Sequence, residues 1–136
     1  NKPKKQNPTN THAIPNIIMA AHEKRPIPLY WKGEQHRDFI YIEDLAQAHI
    51  DVLKVNGFNI FNLGLERGIK IKEVVQTIFD IVGYSVPISD LGERPGDVQS
   101  NYAHSEKLHL SVGWEAKVDL KEGLRLTIDF YQSQNK

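Results

Sequence analysis

The stretch GERPGDVQSNYAHSEKL, residues 92–108, carries the side chains best suited to hold a ligand. Pro95-Gly96 predicts a type II turn, because proline presets φ and glycine accepts a positive one. The first and last residues of such a turn lie close together, so Arg94 and Asp97 can face one small object. A guanidinium is a planar fork matched to phosphate oxygens. A carboxylate accepts hydrogen bonds from paired hydroxyls such as a ribose diol. Taken alone, the same residues also describe a surface turn with a solvent-exposed ion pair, which contributes little.

Other chemistries are missing from the sequence. No Gly-x-Gly-x-x-Gly or P-loop pattern occurs and no glycine-rich loop follows a strand, so no dinucleotide site is encoded here. Tyr-x-x-x-Lys, Gly-x-Ser-x-Gly and His-Glu-x-x-His are also absent. His104 and His109 stand five apart, which does not set both on one helical face, so no metal site is expected. His49 is expected to be partly buried and hydrogen-bonded. Asp38, Glu43 and Asp44 are read as structural acids near a helix N-terminus.

The 136 residues make one domain's worth of chain. Seventeen basic residues balance seventeen acidic ones, which argues against a nucleic acid or an acidic membrane as partner. The basic start, NKPKKQ, reads as a solvated tail. Without cysteine there is neither disulfide nor thiolate metal site, which fits a cytoplasmic location. No apolar run reaches membrane-spanning length and no signal peptide opens the chain. The start lacks an initiating Met and is linker-like, so a fragment of a longer protein is expected.

The elements that must position these residues follow from periodicity. Residues 1–13 read as a linker, and 14–136 as the folded domain. Ile14, Ile17, Ile18 and Ala21 have helical spacing, with Pro15 tolerated in the first turn. PIPLYW reads as an edge strand and KGEQH as a turn. Phe39–Ile42 reads as a strand. EDLAQAHIDVLK reads as a helix with a Leu45, Ala48, Val52 stripe, ended by Asn56-Gly57. FNIFNLG, 58–64, reads as a strand. Val74, Val75, Ile78 and Ile81 mark a second helix capped by Gly83. SVPISDL reads as a short strand, and SEKLHL as a brief helix capped by Ser105. A last helix runs from its cap Asp119 along Leu120, Leu124, Ile128 and Tyr131. Helices and strands alternate, which is an α/β pattern with too few elements for a complete doubly wound sheet.

Three stretches in register carry a resemblance. YWKGEQHRDFIYIEDLAQAHI (30–50), FNIFNLGLERGIKIKEVVQTI (58–78) and RPGDVQSNYAHSEKLHLSVGWEAKVDLKEGLRLTIDFY (94–131) resemble extended short-chain dehydrogenase/reductases of the NAD-dependent epimerase/dehydratase family. The leading QNPTNTHAIPNII also fits. Arg94-Pro-Gly-Asp97 is most similar to the UDP-sugar 4-epimerase branch. The resemblance implies a small mixed α/β domain with short strands and four to five helices. It would be the C-terminal, nucleotide-sugar-binding part of a Rossmann-type enzyme lacking its cofactor-binding half. By this resemblance Arg37 and Arg94 contact the diphosphate and Asp97 takes the ribose hydroxyls. Backbone groups of Asn16, Ile17 and Ile18 line the uracil. The partner is then a UDP-sugar. NAD is held by the missing N-terminal half, which also holds the catalytic pair, so this chain carries no catalytic residue. The implied reaction interconverts UDP-glucose and UDP-galactose, or their N-acetyl forms, by oxidation and reduction at C4. A dehydratase or decarboxylase of the same superfamily and a non-catalytic nucleotide-binding module are the alternatives. The 58–64 strand would be left as an exposed edge, so a homodimer or strand-exchanged oligomer is expected. Trp31 and Lys32 depart from the family's usual Gly and Asp, His104 from its Asp, and Ile17 from the frequent Asn.

Overall fold

The computed structural model describes residues 12–134. The expected linker therefore lies outside the described residues as far as position 11, as does the basic tail. The first helix already begins at Ala13.

Among the described residues five helices and four short strands are interleaved, with two strands in succession after α1 and two helices at the end. Helix α1, Ala13–His22, buries Ile17, Ile18 and Ala21 of the expected stripe together with Ala20, while Ile14 is half-buried against the same core. Strand β1, Ile27–Leu29, is followed by a 3-10 turn, Trp31–Gly33, and by β2, His36–Arg37. Helix α2 is Ile42–Val52, β3 Ile69–Lys70, and α3 Ile71–Val82. Gly83 ends α3 at φ +83°, its N–H donating to the Phe79 carbonyl at 2.9 Å. Strand β4 is Ile88–Asp90, and α4 and α5 are Glu106–Val112 and Leu120–Gln134. Asp119 caps α5 as expected, accepting the Glu122 N–H at 2.8 Å.

The strands form two separate pairs. β1 and β4 run parallel, with Ile27 opposite Ile88 and Leu29 opposite Asp90. β2 and β3 run antiparallel, with Arg37 opposite Ile69. The larger core joins α1, β1, β3, α3 and α5, with Ile27, Val74 and Ile78 wholly buried. A smaller one holds Ala48, Leu108 and Trp114, with Phe61 and Leu63 against it.

Several expectations fail here. Phe39–Ile42 is not a strand: residues 38–41 are irregular and Ile42 opens α2. Phe39 packs on the larger core and Ile40 on the smaller, so this run joins the two without a ladder partner. Residues 58–64 are likewise irregular, with Phe58 90% exposed. Helix α2 stops at Val52, before Asn56-Gly57. His49 is exposed, although its Nδ1 lies 2.8 Å from the Leu45 carbonyl. Ser105 does not cap α4, because its hydroxyl is engaged by Gly64, accepting the N–H at 2.8 Å and donating to the carbonyl at 2.6 Å.

Trp31 and Lys32 take φ of +54° and +52°, a region that suits the glycine more usual in this turn. Glu34, just after the turn, accepts from Lys70 Nζ at 2.8 Å and from Lys72 Nζ. These hydrogen bonds hold its carboxyl at about 2, against an ordinary 4.5. A depressed folded value stabilises above the unfolded one and ceases to do so as pH falls through the folded one. The stability gap between the native chain and Glu34→Gln is therefore expected to close between about pH 5 and about pH 2. Urea denaturation across that range measures it, and added salt narrows the gap because all three side chains are exposed.

Candidate functional site

The turn at Arg94–Asp97 forms as its residues predict. Gly96 has φ +81°, and the Asp97 N–H donates to the Arg94 carbonyl at 3.2 Å. The two side chains then take different partners. Asp97 Oδ1 accepts from Arg37 Nη2 at 2.8 Å, across 60 residues of sequence. Arg37 Nη1 donates to the His36 carbonyl at 2.8 Å, so two of the guanidinium nitrogens are fixed. The Arg94 guanidinium stands 5.6 Å over the ring of Tyr30, a cation–π arrangement. Among the described residues Arg94 has no carboxylate partner.

The strands explain how these groups meet. Antiparallel pairing with the buried Ile69 sets Arg37. The β1–β4 pair continues past its last strand residues, with the Leu91 N–H donating to Leu29 at 2.9 Å and the Trp31 N–H to Gly92 at 2.8 Å. That continuation lays Tyr30 against the loop that carries Arg94.

A cleft of about 540 Å³ opens between these elements and the start of α1. Asn16, Ile17, Arg37, Arg94 and Asp97 all line it. Ile18 does not: its side chain is 4% exposed, turned into the core beneath α1. Tyr30 and Gln35 also line the cleft and were not singled out from the sequence, and Asp38, read there as a structural acid, lines it too. Gln35 gave no local signal, since it falls in the stretch KGEQH that reads as a turn and stands just ahead of β2. Its Oε1 is buried with no hydrogen-bond partner among the described residues.

Asp38 shapes the rim. Its Oδ1 accepts the Leu65 N–H at 2.8 Å and its Oδ2 the Ala103 N–H at 3.0 Å. Of the two carboxylates at the cleft, Asp38 is thus committed to backbone, while Asp97 keeps Oδ2 for a further donor. Of the two arginines at the cleft, Arg94 has no ion-pair partner among the described residues. The arrangement offers charge to a phosphate and an acceptor to a hydroxyl.

Residues 2–64 match the NAD dependent epimerase/dehydratase family. dTDP-glucose 4,6-dehydratase 1 of Escherichia coli is 32% identical over 132 residues, covering 90% of this chain and 37% of its own. The UDP-glucose 4-epimerase of Thermotoga maritima, solved with UDP-glucose, superposes with a TM-score of 0.89 at 25% identity. The chain belongs to the NAD dependent epimerase/dehydratase family. The Thermotoga match covers 96% of this chain and 43% of that one. The Thermus thermophilus UDP-glucose 4-epimerase, solved with NAD, superposes at 0.82 with 27% identity, over 94% of this chain and 42% of its own. This family member thus spans about 37–43% of the length of these relatives.

The family's dinucleotide has no cradle among the described residues. A phosphate needs open glycine backbone at a strand-to-helix turn. The positions where Gly33 and Gly64 would carry a Cβ are instead filled, by the Lys72 backbone nitrogen at 2.8 Å and an Asp38 carboxylate oxygen at 2.1 Å. Among the described residues no cluster of three His, Cys, Asp or Glu could hold a metal ion, and no helix is long and apolar enough to cross a membrane.

Proposed function

We propose that the cleft binds a UDP-sugar, and that this chain is the nucleotide-sugar-binding portion of a UDP-glucose 4-epimerase-like enzyme. The observation that carries the reading is the convergence of Arg37, Arg94 and Asp97 with Asn16 and Ile17 on one cleft. Arg94 and Arg37 would hold the diphosphate and Asp97 the ribose diol. Backbone groups at Asn16 and Ile17 would meet the uracil edge. A diphosphate arriving at Arg37 competes with Asp97 for its fork, so the ion pair would loosen as the ligand enters. NAD would be held by a part of the enzyme outside this sequence, which would carry the hydride chemistry at C4. The chain's own share is to bind and orient the nucleotide while the sugar reacts. The cysteine-free composition fits a cytoplasmic enzyme, and self-association is expected of the chain alone.

A second reading, a dTDP-sugar dehydratase, is favoured by the 32% identity to the Escherichia coli dehydratase. One calorimetric titration separates the two, using UDP, dTDP and GDP on the native chain and on Arg94→Ala. UDP is expected to bind tightest. Arg94→Ala should weaken it roughly 10- to 100-fold, the loss of one charged hydrogen-bonding group on phosphate. Preference for dTDP would favour the dehydratase. Binding unchanged in the variant, or no nucleotide bound at all, would remove the assignment.

A further inference from the structure

Asn56-Gly57 is the one Asn-Gly pair in the sequence, and neither the cleft nor either core uses it. Past the end of α2 the N–H groups of Leu53, Lys54 and Val55 still donate to the Ile50, Asp51 and Val52 carbonyls, at 3.2, 3.3 and 3.0 Å. That bonding stops at Val55. Asn56 and Gly57 are both exposed. Among the described residues neither the Asn56 side-chain amide nor the Gly57 N–H has a hydrogen-bond partner. Only the Asn56 carbonyl is engaged, accepting from Asn59 Nδ2 at 3.2 Å. A Cβ at Gly57 would meet nothing within 4 Å, so the backbone there stands in open space.

We propose that Asn56 is a site of self-modification, losing its side-chain amide to attack by the main-chain nitrogen of Gly57. That nitrogen gives its proton to hydroxide and bonds to Asn56 Cγ. Ammonia leaves, and a cyclic imide remains. Water then opens the imide at one of its two carbonyls. Opening at Cγ gives aspartate, and opening at the main-chain carbonyl gives isoaspartate. The sum is amide plus water to acid plus ammonia, with nothing oxidised or reduced. Glycine at 57 leaves the attacking nitrogen uncrowded and its backbone free to turn. Asn59 precedes the β-branched Ile60 and Asn62 the bulky Leu63, whose side chains hinder the same attack. Either product sets a carboxylate just past the negative C-terminal end of α2, where it is unfavourable. The isoaspartyl form also adds a methylene to the main chain between α2 and Phe61, which packs on the smaller core. The modified chain is therefore less stable than the native one. None of this depends on what the cleft binds.

Ageing the 136-residue chain in warm, mildly alkaline buffer, then digesting it with trypsin for mass spectrometry, tests the proposal. Lys54 and Arg67 bound one tryptic peptide that holds Asn56, Asn59 and Asn62 together, so the later two are internal controls. Conversion is expected at Asn56 alone, as a mixture of aspartyl and isoaspartyl forms. Its rate should rise in proportion to hydroxide, with ammonia released in step. The rate should match that of the urea-unfolded chain, because no contact of the fold protects this loop. Asn56→Gln, at an exposed position, should fold as the native chain does and lose no amide from this peptide, since its longer side chain sets the carbonyl carbon one bond too far for the ring. On ageing, the melting temperature of the native chain should fall and that of Asn56→Gln should hold. An Asn56 that keeps its amide in the folded chain overturns the proposal. So does conversion spread evenly over the three asparagines, or loss from Asn56→Gln at the native rate.

Discussion

Replacing Asp44 with alanine is expected to lower the free energy of unfolding by about 3–5 kcal/mol. Asp44 is only 5% exposed, in the first turn of α2. Its two oxygens accept the N–H groups of Lys117 and Val118 at 3.1 and 3.0 Å. Its own backbone carbonyl accepts from the indole of the buried Trp114 at 2.9 Å. One residue thus fastens the segment ahead of α5 to the start of α2, across more than seventy positions of sequence. Alanine leaves two part-buried N–H groups without an acceptor, and each such orphan costs about 1–3 kcal/mol. The favourable placement of a carboxylate at the helix's positive end is lost too, a further 0.3–1 kcal/mol or so. Asp44→Asn keeps one acceptor and should fall between. Glu43→Ala, next door and exposed, should change stability by no more than about 0.5 kcal/mol. Urea denaturation of the three variants measures the series, and a cost for Asp44→Ala near that of Glu43→Ala would refute the clamp.

Asp44 also shows what sequence reading can and cannot reach. An acid in a helix's first turn is ordinary by pattern, and the pattern does place it correctly at the start of α2. Nothing local says that its partners lie at Lys117 and Val118. The helices α1, α3 and α5 were legible because their buried stripes repeat within a few residues. Strands β1 and β4 were legible as short apolar runs bounded by turns. The two failed strands, at 39–42 and 58–64, have the composition of strands but no neighbour to pair with, and composition cannot supply one. At the cleft the type II turn was legible, and the family resemblance put Arg37 beside it. The Arg37–Asp97 ion pair and the stacking of Arg94 on Tyr30 were not, because both join elements brought together by the pairing of β1 with β4 and by the bridge between His36 and Ser100. Ser105 failed for a related reason: a cap site is a local preference, and a distant backbone group at Gly64 won its hydroxyl.

Gly64→Ala is the second large effect, and it tests whether the cleft depends on its rim. The glycine is required here by close approach and not by a positive φ. A Cβ at this position would lie 2.1 Å from Asp38 Oδ2 and 3.0 Å from the Ala103 carbonyl oxygen. The Asp38 carboxylate cannot swing aside freely, because it accepts the N–H groups of Leu65 and Ala103. Either that carboxylate gives up its donors or the 64–65 backbone moves, and movement there strains the two hydrogen bonds between Gly64 and Ser105. The loss of one or two such satisfied groups makes a cost of about 2–4 kcal/mol. Asp38 directly follows Arg37, so a displaced Asp38 also shifts the guanidinium that Asp97 holds. Two measurements on one variant are therefore linked: the denaturation midpoint should fall, and nucleotide binding should weaken even where the chain remains folded. Asp38→Ala in the Gly64→Ala background removes the clash, since no carboxylate remains for the methyl group to meet. The double variant should lose less stability than the sum of its parts, the signature of direct contact. Strict additivity would show that the two residues do not touch.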